Sequence, residues 1–385
     1  MTNEDEYKAR TIALQSGLAE ANIDLAILTD PDSIIYFAGY WNYLGVELGR
    51  PTLVLVPRSG EPTIITPLME SEMCRVMSWI GDVRPWADGI DGEWAGTLER
   101  YIAKARFGSV GFEKRTIHPS IALRLKPLIE KHRRADLHPI TTQIRVRKSA
   151  SEIEIMRAAG KVAVAMLEGA RSAIGIGVPE YEVALAAIAG GTRKAATLLE
   201  DPRHRFVSPT IYNLQIMQSG RDTCMVHRRS ATKRIEKGDP IYLCFCGVAN
   251  FHNYKLGFDR EFYVGSITDE QARVQEAAVK AQQTALAAIK PGAVCEDVNH
   301  AAEEVYKEAG FGPSYRTGRS IGCSFIEPPE LKRGDKTVLE AGMTFAVDGG
   351  ITVEGKFGGR IGDSIVVTDK GFEYFTQYPR ELTVL

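Results

Sequence analysis

The sequence predicts an α/β domain over residues 1–147 and a larger α+β domain over 148–385. Two patterns carry that expectation. In the first part, short apolar runs alternate with segments of helical spacing, the order expected of strands and helices in one layered α/β unit. Beyond residue 150, long helical segments and strand-like runs fall into separate blocks, as in an α+β domain. Length is consistent with both, because 385 residues with 44% hydrophobic side chains can fill two cores.

The spacing of apolar residues over 4–22 predicts a helix, and DLAILTD (24–30) a strand. Asp30-Pro31-Asp32 then makes a turn that opens the next helix. TLVLVP (52–57) and TIITP (63–67), parted by RSGEP, read as a hairpin. Helices at 68–79, 93–105 and 118–132 alternate with strands DVRPW, SVGFEK and ADLHPI. RVRKSASEIEIMRAAG (145–160) marks the boundary: Ser149 or Ser151 caps a long helix, and Glu152 and Glu154 suit its positive end. Helices at 151–173 and 179–199 precede a strand-rich stretch, 207–265. Helices at 268–288 and 294–310, split by Lys290-Pro291-Gly292, lead to the last strands, which end by 377. There is no tandem repeat and no low-complexity linker.

The net charge of −2 lacks the polybasic signature of nucleic-acid or anionic-membrane binding. No apolar run approaches the roughly 20 residues that span a bilayer. The acidic, polar start is unlike a signal peptide, so a cytoplasmic protein with reduced thiols is expected. Its six cysteines have no framework spacing. Cys244 and Cys246, with His252 nearby, could suggest a soft-metal site, but no further ligand completes it; buried small side chains are the plainer reading.

Several motifs lie in a fixed order: LGRP (48–51), VPEYEVAL (178–185), MQSG (217–220), the interval from His227 to Lys237-Gly238-Asp239, IKPGA (289–293) and TVLEAGM (337–343). With YRTGRSIG (315–322) and GGRIGD (358–363), their collinearity resembles the pita-bread family of methionine and Xaa-Pro aminopeptidases, prolidases and creatinase. The resemblance to creatinase is the closer one. It implies a pita-bread C-terminal domain and a smaller creatinase-type N-terminal domain. In metal-dependent members these segments supply two Asp, one His and two Glu. The matching positions here read Phe245 or Cys246, Gly257, Arg319, Asp348 and Gly362. Hard divalent cations need several converging carboxylate or imidazole donors, so neither a metal nor another cofactor is expected.

The same resemblance implies the site residues. His227 matches the creatinase histidine that moves the proton, a task suited to imidazole, which titrates near neutrality. The metallopeptidases keep a histidine there for substrate binding, so the residue type does not discriminate. Asp259 and Asp348 stand where creatinase has glutamates and can clamp a cationic substrate group; a residual ligand and an ion pair with Arg260 are their structural alternatives. Arg50 matches an arginine that reaches the neighbouring subunit's site and grips a carboxylate, which requires a homodimer; an ordinary surface arginine is the alternative. Arg319 either stands in for a metal or a substrate-anion receptor, or locks Asp348 in a salt bridge. Arg360 is expected to pair with Asp363. Gly257 and Gly362 enlarge the cavity, Glu327-Pro328-Pro329 lies on a substrate-contact loop, and Tyr315 and Phe325 line the pocket or simply pack. Cys244 lies near the nucleophile position of an ectoine-hydrolase-like relative.

The expected activity is metal-independent hydrolysis of a C–N bond in a small zwitterionic guanidino or amidine compound. The alternatives are a metal-dependent Xaa-Pro peptidase, an ectoine-hydrolase-like ring-opening enzyme and a non-catalytic metabolite-binding protein.

Overall fold

The structure, a computed structural model, describes residues 4–41, 44–45, 49–105, 107–211, 216–245, 251–312 and 315–385. Cys246 and Leu48 therefore lie outside the described residues. The chain divides into two compact units, Thr2–Arg145 and Val146–Leu385.

The N-terminal unit contains α1 (Glu4–Glu20), β1 (Leu25–Leu28), α2 (Pro31–Ala38), β2 (Leu53–Pro57), β3 (Thr63–Pro67), α3 (Ser71–Met77), β4 (Asp82–Trp86), α4 (Glu93–Ala105), β5 (Ser109–Phe112), α5 (Pro119–Leu128), β6 (Arg133–Asp136) and α6 (His138–Arg145). Its sheet runs β4-β3-β2-β1-β5-β6. Leu25, Ile27, Leu55, Ile65 and Val110 pack against Trp94, Leu98 and Ile102 of α4. The Asp30 side chain caps α2 by accepting from Ser33 N at 3.1 Å, as the turn sequence predicts. One expectation fails. ADLHPI is not a strand throughout, because Asp136 accepts from His138 N at 3.1 Å and Pro139 suits a first helical turn, so α6 begins there.

The C-terminal unit contains α7 (Ala150–Ala173), α8 (Glu180–Leu198), β7 (Ile216–Ser219), β8 (Pro240–Cys244), β9 (Asp259–Tyr263), α9 (Asp269–Ala288), α10 (Cys295–Glu308), β10 (Gly318–Ser320), β11 (Glu327–Leu331), β12 (Thr344–Val353), β13 (Phe357–Thr368) and β14 (Gly371–Tyr374). Ser149, not Ser151, starts α7, in a capping box with Glu152. The sheet runs β11-β10-β12-β13-β9-β8-β7, with β14 also on β13. Ala278, Ala281 and Ala285 of α9 pack with Val347 and Ile365. Strand alternation turns Asp348 and Gly362 to the opposite face. No helix of the described residues is long and apolar enough to cross a membrane.

Two histidines in this unit make a pH-sensitive contact. His204 and His252 lie edge to face at 5.2 Å, and burial with the neighbouring His204 pushes His252 down to about 4. The folded imidazole thus binds its proton more weakly than the unfolded one. Stability is complete above about pH 6.5 and falls with acidification until about pH 4. Between pH 7.5 and 5 the expected loss is about 2 kcal/mol. Denaturant midpoints of the wild type and His252→Asn at the two pH values check this: the variant loses most of the difference.

Candidate active site

Cys244, Asp259, Gly362 and Asp348 form one rung across β8, β9, β13 and β12, each paired with the next. Directly paired residues share a face, so this rung projects away from α9. Arg319 pairs with Ala346, two residues from Asp348, and joins the same face.

The two carboxylates converge over Gly362. A Cβ at that position would lie 2.8 Å from Asp348 Oδ1 and 3.0 Å from Asp259 Oδ2. Asp259 Oδ2 accepts from the Tyr242 hydroxyl at 3.0 Å. Asp348 Oδ2 accepts from Arg319 Nη1 at 2.7 Å, an ion pair whose side chains are 12% and 4% exposed. Asp348 Oδ1 has no hydrogen-bond partner among the described residues. Burial raises the Asp348 carboxyl; the Arg319 charge opposes that rise and the Asp259 charge adds to it. Phe325 stacks on the Arg319 guanidinium at 4.4 Å.

A second rung lies two residues along. Tyr242 pairs with Glu261, and Gly350 with Arg360. Arg360 does not pair with Asp363 as expected, because the two residues point to opposite faces of β13. Its guanidinium instead donates to Thr223 O at 2.7 Å and Thr352 Oγ1 at 2.6 Å, and lies 5.2 Å from the Tyr242 ring centre. Asp363 accepts from Arg260, Thr376, Gln282 and Arg380 on the α9 side, so Arg260 is not the ion-pair partner of Asp259. Glu261 accepts from Tyr263 OH at 2.9 Å and Arg360 N at 3.0 Å, and burial pushes it up to about 8. Tyr315 is half exposed, but its hydroxyl reaches in against Gly350, and burial raises its pKa. Tyr242 and Glu261 were missed from sequence. Period-two spacing from Cys244 and Asp259 is the signal that finds them.

Glu327, on the segment expected to contact substrate, is itself buried. It turns inward to a buried ion pair with Lys148 at 2.8 Å and accepts from Ser324 N at 3.0 Å, fixing the segment that presents Phe325.

His227 is exposed on the turn after the short 3-10 segment Gly220–Cys224. It makes no hydrogen bond or ion pair among the described residues, and the rung residues are not among its partners. Its backbone is held firmly. Gln218 Nε2 donates to Val226 O at 3.3 Å and Arg228 O at 2.7 Å, one on each side of it. Arg228 in turn forks onto Glu180, the buried first residue of α8. Glu180 also accepts from Ser219 and from Ala231 N. Arg50, in the N-terminal unit, lies 3.3 Å from Asp88, both of them exposed.

Residues 154–369 match the profile of metallopeptidase family M24, and residues 10–147 that of the creatinase/prolidase N-terminal domain. The chain belongs to metallopeptidase family M24. It is similar to agropine synthesis cyclase of Rhizobium rhizogenes, at 28% identity covering 98% of this chain and 97% of that one. It is similar also to an uncharacterized hydrolase/peptidase of Sinorhizobium fredii (30%; 99% and 97%) and to the Xaa-Pro dipeptidase of Lactobacillus delbrueckii subsp. lactis (27%; 97% and 98%). Among solved structures, the Xaa-Pro dipeptidase from Bacillus anthracis superposes with a TM-score of 0.85 at 26% identity, covering 98% and 100% of the two chains. This M24 chain is thus a hydrolase-family member with the two-domain pita-bread architecture.

The family's name implies a metal centre, whereas this face presents two carboxylates, a phenol and a guanidinium. Among the described residues no three His, Cys, Asp or Glu side chains converge to hold an ion. Asp348 is already paired to a guanidinium, and Asp259 is bonded to a phenol. That set does not fit a hard divalent cation.

Proposed function

We propose that this M24 chain hydrolyses a C–N bond in a small zwitterionic guanidino or amidine compound without a metal ion. The observation that carries the reading is the convergence of Asp259 and Asp348 over Gly362, beside the Arg319 guanidinium. Two carboxylates on a buried face suit a planar cationic group, which they can bind by charge-assisted hydrogen bonds. Water adds to the sp² carbon, His227 takes its proton, and the same imidazole returns a proton to the leaving nitrogen as the C–N bond breaks. Arg50 of a second protomer receives the substrate carboxylate, so the working unit is a cytoplasmic homodimer with no nucleic-acid or membrane partner. The name of the Rhizobium rhizogenes relative, a cyclase of agropine synthesis, lends support to small-molecule rather than peptide chemistry. Ring opening is the variant of this reading that the name favours. Cys244, on the same rung as Asp259, favours a second variant in which a thiol attacks the carbon.

The dipeptidase names among the relatives favour a peptidase reading. One experiment separates the two. Purified protein, analysed for metals and dialysed against a chelator, is offered guanidino acids, cyclic amidines and Xaa-Pro dipeptides. We expect urea or amine release that chelation leaves within about two-fold, because no step passes through a metal. Chelator-sensitive dipeptide cleavage by protein carrying two metal ions per chain would falsify the proposal. Ligand-induced stabilisation without turnover would reassign the protein as a metabolite-binding one.

A further inference from the structure

The Arg319 guanidinium lies in a slot with four identifiable walls. Asp348 Oδ2 is 2.7 Å from Nη1, and the Phe325 ring centre lies 4.4 Å from the guanidinium carbon. The third wall is the Gly257 backbone: a Cβ there would lie 2.9 Å from Arg319 Nη2. The fourth is Ala346, the cross-strand partner of Arg319, whose Cβ lies 2.7 Å from where a Cβ at 257 would be. Arg319 itself is 3% exposed. A side chain at 257 would run into both Arg319 and Ala346, so glycine there leaves this space open. Gly257 and Arg319 are also two of the positions at which the family resemblance implies metal ligands. One has lost its side chain, and the other sends a cation into the room so made.

We propose that Arg319 is a tethered cation that takes the place of the metal centre. Its slot is shaped for a planar guanidinium and closed to divalent ions while that side chain is present. A guanidinium is flat and can stack on Phe325 while donating to Asp348, a combination that neither a spherical ion nor an ammonium offers. The slot is therefore a cation site in its own right, with a planar amidinium-type ligand as its chemical class. The inference rests on the metal-free part of the function proposed above but not on any substrate, and its test reads binding instead of turnover.

The experiment removes the tether. Arg319→Ala is titrated calorimetrically and by thermal shift with methylguanidinium chloride, and with methylammonium chloride at equal ionic strength. The variant is expected to bind one methylguanidinium per chain with a Kd in the low millimolar range and to regain melting temperature as it does so. Methylammonium should bind at least ten-fold more weakly, and the wild type should bind neither. The full-length wild type is also titrated with Mn²⁺ and Zn²⁺, and no binding tighter than millimolar is expected. Equal responses of the variant to the two organic cations overturn the proposal, as does one Mn²⁺ or Zn²⁺ bound per wild-type chain at micromolar concentration. Should Arg319→Ala not fold, Arg319→Lys and the wild-type metal titrations still decide: the lysine variant fills the tether but lacks the flat fork. It is expected to melt below the wild type and to leave Mn²⁺ unbound. A lysine variant as stable as the wild type overturns the planar-fit argument.

Discussion

Replacing His227 with alanine is expected to lower turnover by about 10³-fold, within the range removed with a general acid–base group. The measurement is kcat on whichever compound the substrate panel identifies, at saturating concentration. The change should fall on kcat more than on KM, because a proton-transfer group acts in the transition state and contributes little to ground-state binding. Stability should hardly move. The side chain is exposed and makes no hydrogen bond or ion pair among the described residues, so its truncation buries nothing unsatisfied. An unchanged kcat for His227→Ala would exclude it from proton transfer and turn attention to Asp348, whose Oδ1 faces Gly362 unpartnered among the described residues.

The second large effect concerns what holds His227 in place. Glu180 is fully buried and accepts five hydrogen bonds: from Ser219 N at 2.9 Å, Ser219 Oγ at 2.7 Å, Arg228 Nη1 at 2.9 Å, Arg228 Nη2 at 2.5 Å and Ala231 N at 2.8 Å. Burial alone would raise its pKa, but Arg228, Ser219 and the Ala231 amide together hold it below the usual carboxylate range. Glu180→Ala removes the anion that Arg228 forks onto, leaving that guanidinium only Asp222 and the Arg229 carbonyl, and takes the acceptor from Ser219 and from the Ala231 amide. The expected cost is about 3–5 kcal/mol, as for breaking one side of a buried ion pair. For a unit of this size that lowers the melting temperature by roughly 10 °C. Turnover measured well below the new melting temperature should also fall, by about ten-fold or more, because the strap from Ser219 to Ala231 loses the anchor that sets His227. A drop in melting temperature with unchanged turnover would show that the strap keeps its shape through Gln218 alone.

Much of the fold was legible because the signals were local. Apolar spacing located α1, α4, α7, α8, α9 and α10, and the Asp30-Pro31 and Ser149-to-Glu152 caps marked helix starts through bonds a few residues long. The failure at ADLHPI was local too. Leu137 and Ile140 suit a strand, but Asp136 closes a turn onto His138, and Pro139 favours the helix that follows. The expected Arg360–Asp363 pair failed for another reason. Three residues apart on a strand means opposite faces, and period-two alternation already forbids such a pair.

By itself the sequence determined the two-domain order, the family, and the identities of Arg319, Asp348, Gly257 and Gly362, because residue type and collinear spacing are written along one dimension. Only the tertiary structure decided what those residues touch. Cys244, Asp259, Gly362 and Asp348 become one rung through pairings that span up to 103 positions in the chain, from Asp259 to Gly362. Register between strands that far apart is chosen by burial of whole sheet faces and not by neighbouring residues. That choice puts a guanidinium against Asp348 and over Gly257, where the sequence alone left open whether Arg319 met a substrate anion or an internal carboxylate.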